Sequence, residues 1–230
     1  MIGIICAMPI EIEELKKHMV DIKKETISNI EYLICKINSI NCVIAIGGIG
    51  KVNSAICAQT MILKFSPEII VSTGIAGGLH SKMNIGDIAI AESTVQHDID
   101  TTAIGDPVGL ISTLNIIQIP CTQKLINKIL KMSSNFKNTQ FFVGTIASGD
   151  QFIASKNKLL KIKNEFQAIA CDMESGSIAQ VCYINKTDFC CIRVISDNIN
   201  SESSPLDYEK FKKTVAKKMC QIFIEIIACF

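Results

Sequence analysis

Apolar residues follow two alternating periods along this chain, and the alternation predicts its layout. Short, nearly continuous apolar runs at Ile2–Cys6, Glu68–Thr73, Asp87–Val95, Phe141–Ala147 and Phe189–Ser196 read as buried strands. Spacing near 3.6 residues predicts helices over Glu11–Met19, Lys51–Lys64, Gln123–Met132, Lys156–Lys163 and Met173–Tyr183. A long closing helix is expected over Tyr208–Ile227. Glu31–Ile37 and Asn41–Gly47 read as a ribbon turning at Asn38-Ser39. Strands that are apolar throughout, alternating with helices, predict an α/β fold. The expected form is one domain over residues 1–230, with a central mixed sheet covered by helices on both faces.

In open α/β sheets the chemistry gathers at the carboxyl ends of strands. Here those ends carry Ala7-Met8, Gly47-Gly48, Thr73-Gly74, Ser148-Gly149-Asp150 and Ser196-Asp197. One segment, from about Asp98 to Pro120, is long for a loop in a compact domain, and loops of that length are usually functional or interfacial.

Composition narrows the function. Hydrophobic residues make up 48% of the chain, enough for one sizeable core, and the net charge is +1. That balance gives no electrostatic ground for nucleic acid or an anionic membrane as a partner. With no Trp and 3 Tyr, an aromatic platform for stacking bases is not expected. The N-terminal apolar run is short, lacks a basic leader and reads as a first strand rather than a signal peptide. No run approaches the ~18 apolar residues of a membrane span. The 11 cysteines include no C-x-x-C pair and sit mostly in apolar runs, so they read as reduced core residues of a cytoplasmic protein. His18, His80 and His97 are scattered, and no metal site is expected.

Arg193 is the single arginine, in Arg193-Val194-Ile195-Ser196-Asp197. A planar fork of five donors four residues before a carboxylate suits orienting a carboxylate, a sugar hydroxyl or a water. The plainer alternative is an ion pair. Gly47-Gly48-Ile49-Gly50-Lys51 fails the Walker pattern because Ala45 and Val52 stand at the wrong places, and Asn53 breaks the dinucleotide pattern. It reads as a tight strand-to-helix turn, and Thr73-Gly74-Ile75-Ala76-Gly77-Gly78 reads as a second glycine turn that either admits a ligand or simply reverses the chain. Asp172 reads equally as a helix N-cap or a site residue. Glu174, at a helix start, is favoured by the macrodipole and suits a vicinal diol. Glu11 is one of three clustered glutamates and is not singled out by pattern.

Taken in order, Gly3-Ile4-Ile5-Cys6-Ala7-Met8 with Glu11, Gly48-Ile49-Gly50-Lys51-Val52, Thr73-Gly74-Ile75-Ala76-Gly77-Gly78-Leu79, Gly86-Asp87-Ile88, His97-Asp98-Ile99-Asp100, Ser148-Gly149-Asp150-Gln151-Phe152-Ile153, Asp172-Met173-Glu174-Ser175 and Arg193-Val194-Ile195-Ser196-Asp197 run nearly end to end. Their set resembles the 5′-methylthioadenosine/S-adenosylhomocysteine nucleosidases of the purine nucleoside phosphorylase superfamily. The resemblance implies a three-layer α/β/α fold and cofactor-free hydrolysis of an adenine nucleoside. It assigns Asp197 as general acid toward the five-membered ring of adenine and Glu11 as general base on the attacking water. Arg193 would help place the water, and Glu174 would hold the ribose hydroxyls beside Met173. Phe152, Ile153, Ser196, Ala76 and Gly77 would surround the base. Met8, Ile49 and Tyr208 would line the 5′ pocket, with Ile104 from the partner subunit of a homodimer whose 98–115 loop completes the neighbouring site. Ile75 stands where many relatives carry Ser. Ile104 and Asp106 stand where aromatics are common, which implies a less aromatic 5′ pocket.

Two other readings compete. A phosphorylase of the same superfamily would need cationic phosphate ligands, and this chain has one arginine to offer. A non-catalytic nucleoside-binding protein would not need Glu11, Glu174 and Asp197 together.

Overall fold

A computed structural model of the chain describes residues 1–199 and 218–228. Ten strands form one mixed sheet in the order β10-β6-β8-β9-β5-β1-β4-β3-β2, with β7 (Ile119–Pro120) paired to β6. β1 (Ile2–Cys6) is buried at every position, so both faces of the sheet are covered there. It lies parallel between β4 (Ile40–Ile46) and β5 (Ile69–Gly78). α2 (Lys51–Phe65) packs on β1 and β4 and against α5 (Ser175–Asn185), which also contacts β6 (Ile88–Gln96), β8 (Phe141–Ser148) and β10 (Asp188–Asn198). α3 (Gln123–Met132) covers β6, and α4 (Lys156–Phe166) lies on β8 and β9 (Ala168–Asp172). The helical segment over 218–228 adds Met219, Ile222, Phe223, Ile226 and Ile227 to the main core.

The sheet rolls up at one side. Besides its place in the linear order, β10 pairs β5 along most of its length, so β5, β10, β6, β8 and β9 close into a ring. β5 is the shared member. It stays beside β1 only through Ser72, then bends away and pairs antiparallel to β9 at Gly77 and Gly78. A crevice opens where β1 and β5 part.

Several predicted elements stand within a residue or two, among them β1, α2, α3 and the ribbon β3 (Ile30–Ile37)–β4, whose Asn38-Ser39 turn has positive φ at both residues as a tight hairpin requires. Others differ. The helix expected over Glu11–Met19 is a short α1 (Pro9–Glu13) followed by a 3-10 turn (Leu15–His18). Pro at the first turn starts α1, and the inward turn of Glu11 ends its amphipathic pattern early. β2 (Val20–Ile27) matches no predicted element, because it is exposed along nearly all its length and carries Lys23, Lys24 and Glu25. The five-residue β9 matches no predicted element, since a short apolar run carries too few residues to set a period. The expected glycine turn at 73–78 is strand throughout, held by β10 on one side and β9 on the other. The first half of the expected closing helix, 208–217, lies outside the described residues, and its second half, 218–227, is helical.

Candidate active site

Glu11 fills the point where β1 and β5 diverge. Its Oε2 accepts from the backbone N–H of Ala7 (2.8 Å) and Met8 (2.9 Å), just past β1, and its Oε1 accepts from Ile75 N–H (3.3 Å) on β5. The carboxylate thus takes up donors that the separating strands leave without ladder partners. It is 3% exposed. Burial raises its proton affinity above the ordinary carboxylate, opposed by the Met8 N–H, the nearby Arg193 charge and the Ala7 and Ile75 donors.

Farther along β5 sits the second acid. Asp197 lies next to the end of β10, beyond a bulge, where Ile195 pairs Ala76 and Asp197 pairs Gly77. The bulge turns its carboxyl toward the cavity. Ser196 Oγ donates to Asp197 Oδ1 at 2.7 Å, and burial raises the Asp197 carboxyl above its ordinary range against that hydrogen bond. Gly74 and Gly77 admit both acids. A Cβ at Gly74 would lie 2.8 Å from Glu11 Oε1, and one at Gly77 would lie 3.1 Å from Asp197 Oδ2. Three residues of strand separate these contacts, on the order of 10 Å at the usual rise.

Glu174 occupies the N-cap position of α5, with its Oε1 accepting Gly50 N–H at 3.1 Å. Burial first, then the Asp172 charge, lifts its pKa from 4.5 to about 7, against Arg193 and the Gly50 N–H. Asp172, expected as a possible N-cap, stands at the end of β9. Its Oδ1 accepts the N–H groups of Glu174 and Ser175, both at 3.3 Å, so it does cap the first turn while preceding the cap position.

Arg193 departs from the sequence reading. It lies inside β10, is among the largest fully buried side chains, and does not line the cavity beside Asp197. Its Nε–H donates to Asp172 Oδ2 (2.8 Å), Nη1 to Ile192 O (3.2 Å) and Nη2 to Ser72 Oγ (2.9 Å). The fork therefore orients a carboxylate, as its chemistry suggested, but the carboxylate is Asp172. Its charge also reaches Glu11 and Glu174 from behind the cavity wall.

One cavity of about 370 Å³ gathers Met8, Glu11, Ile49, Ala76, Gly77, Phe152, Ile153, Met173, Glu174, Ser196 and Asp197, all drawn from the predicted set. Phe152 is 59% exposed at its rim. Ile75, Gln151, Leu159, Cys171 and Asp172 line it as well. Cys171 and Leu159 gave no signal because the first lies within the unrecognised β9 and the second sits on an ordinary helix. Ile104 lies outside this cavity, 80% exposed in a 3-10 turn, and Tyr208 is outside the described residues. Among the described residues the lining holds four carboxylates and no Lys, Arg or His. Among the described residues no cluster of His, Cys, Asp and Glu suits a metal ion, and no helix is long and apolar enough to cross a membrane. The ten described cysteines are free and buried.

An apolar slot with carboxyl groups at both ends suits a flat heterocycle joined to a polyol. Comparison with known proteins fits that chemistry. The sequence model of the Phosphorylase superfamily matches residues 1–228. A 5′-methylthioadenosine/S-adenosylhomocysteine nucleosidase of Staphylococcus haemolyticus is 36% identical over 228 residues, 99% of each chain. The enzyme of that name from Staphylococcus epidermidis is 37% identical over 92% of each chain. The crystal structure of the Neisseria meningitidis nucleosidase in complex with methylthio-immucillin-A superposes with a TM-score of 0.94 at 30% identity, covering 100% of this chain and 99% of that one.

Proposed function

This chain belongs to the phosphorylase superfamily, and from that premise we propose that it hydrolyses the N-ribosidic bond of 5′-methylthioadenosine and S-adenosylhomocysteine, releasing adenine and the 5′-thio-ribose. The observation that carries the reading is the placement of Glu11 and Asp197 on one cavity, against the same strand. Breaking an N-ribosyl bond leaves electron density on the base and positive charge on the sugar. Asp197, raised toward neutrality by burial, gives its proton to the imidazole-ring nitrogen of adenine as the bond breaks. Glu11 holds a water on the opposite side of the ribose and takes its proton as the oxygen joins the anomeric carbon, the arrangement of an inverting hydrolase. Glu174 receives the ribose hydroxyls, and its charge opposes the positive charge growing on the sugar. Phe152 and Ile153 lie where the base enters. Each acid or base contributes perhaps 10²–10⁴-fold.

Water rather than phosphate is the acceptor in this reading. Phosphate needs cationic ligands, whereas the described lining is acidic and Arg193 is engaged behind it with Asp172. Adenine release measured with and without inorganic phosphate tests the choice. Equal rates are expected, and strict dependence on phosphate would make the enzyme a phosphorylase.

A homodimer belongs to the same proposal. Ile49 lines the cavity yet is 53% exposed, which leaves an apolar wall open for a neighbour. The neighbour's 98–115 loop, led by Ile104, would cover that wall around the 5′ substituent. Free, buried thiols accord with a cytoplasmic setting. Sedimentation of the protein, and of an Ile104→Asp variant, checks the dimer, with dissociation and a raised KM expected for the variant.

A further inference from the structure

Three motifs are tied to one another outside the reacting groups. Lys51 Nζ meets Asp98 Oδ1 at 2.6 Å, the other oxygen of Asp98 accepts the backbone N–H of Asp150 (2.9 Å), and Asp150 Oδ1 accepts the backbone N–H of Lys51 (2.7 Å). The three residues form a closed ring of hydrogen bonds joining the first turn of α2, the chain just after β6 and the loop after β8. The Lys51 and Asp98 side chains are only 18% and 16% exposed, so solvent and salt screen this pair less than a surface pair.

The neighbours of the ring are substrate-facing. Gly50, one residue before Lys51, gives its N–H to Glu174 Oε1. Gln151, Phe152 and Ile153, directly after Asp150, line the cavity. Tight packing fixes the junction. A Cβ at Gly50 would lie 2.9 Å from Asp150 Oδ1, and one at Gly149 would collide with His97 Nε2 and lie 3.1 Å from Asp98 Cγ. The ring thus sets two things at once, the donor that orients the diol-binding carboxylate and the start of the loop at the base end. None of its members lines the cavity.

We infer that Lys51 and Asp98 are positioning residues for nucleoside binding, holding the Gly50 N–H on Glu174 and the 151–153 loop in register for the base. This rests on the hydrolase reading only for the identity of the ligand. Removing the pair loosens ligand capture and leaves Glu11 and Asp197 where they are. Its signature is a rise in KM with little change in kcat.

The test compares wild type with Lys51→Met, Lys51→Arg and Asp98→Asn. Adenine release gives KM and kcat, and calorimetry gives the affinity for adenine itself, which needs no turnover. Lys51→Met and Asp98→Asn should each raise KM and weaken adenine binding about tenfold, the scale of one charge-assisted hydrogen bond. Their kcat should stay within about twofold, and Lys51→Arg, which keeps the charge, should restore most of the affinity. Unchanged KM and adenine affinity in both charge-removing variants overturns the inference. So does a fall in kcat that tracks a lowered melting temperature and is not restored by Lys51→Arg. Failure of wild type to release adenine would instead remove the hydrolase reading, while the adenine affinities would still judge the ring.

Discussion

The carboxylate of Glu11 lies so close to Gly74 that a methyl group at position 74 would come within 2.8 Å of Oε1. That oxygen is also the acceptor of the Ile75 N–H, so it has little room to retreat. The backbone at Gly74 is not left-handed, and alanine is conformationally acceptable there. Gly74→Ala should therefore fold and yet displace Glu11, the proposed general base, lowering kcat about 10²-fold, the cost of a misplacement near 1 Å. A circular-dichroism melt beside an adenine-release assay separates the two effects. Full activity in Gly74→Ala would show that Glu11 does not need its observed position.

Asp197→Asn removes the proposed proton donor while keeping its shape and its contact with Ser196. Adenine release should fall at least ~10²-fold, with adenine still bound. Unchanged turnover would remove Asp197 from the mechanism and leave protonation of the leaving base to another group.

Arg193 carries a different expectation now that its partner is Asp172. Both side chains are almost wholly inaccessible, and breaking a buried pair leaves an uncompensated charge. Arg193→Met should destabilise the fold by about 3–5 kcal/mol, visible as a lower midpoint in urea. Arg193→Lys keeps the charge but cannot reproduce the fork to Asp172, Ser72 and Ile192, so it should lie between the two. A melting curve for Arg193→Met that matches wild type would contradict a structural role.

Glu174 makes stability depend on pH in a predictable direction. Its pKa is raised from 4.5 to about 7, so between those values the folded state holds a proton that the unfolded chain releases. The native state is favoured by this group below about pH 4.5 and loses that contribution as pH rises through about 7. Thermal midpoints of wild type relative to Glu174→Gln should fall across this window and run parallel above it. A difference that grows with pH would reverse the assignment.

How much of this was legible in the sequence depends on where each residue gets its position. Glu174 and Asp197 stand at a helix start and a strand end, places that apolar periodicity marks directly. Glu11 did not separate from Glu13 and Glu14 by pattern, because its distinction is the parting of β1 from β5, a tertiary event. Arg193 was expected beside Asp197, four residues on. A strand alternates its faces and the bulge at Ser196 shifts the register, so the nearer carboxylate in space is Asp172, from a strand too short to recognise. The glycines at 74 and 77 looked like a turn because their small size is the visible signal, whereas what they yield to is the pair of carboxyl groups. The 5′ end was least legible, since Tyr208 lies outside the described residues and Ile104 lies outside this chain's own cavity.

The rolled sheet also governs how the molecule meets its own copies. Because β5, β10, β6, β8 and β9 close on themselves, their backbone groups offer no template for strand addition, and apart from the two-residue β7 the one long open border among the described residues is β2. That border carries Lys23 and Lys24, the kind of charged rim that discourages a second chain from docking edge to edge. Replacing those lysines with valine would turn the strand the sequence hid most completely into the place where fibrous aggregation begins.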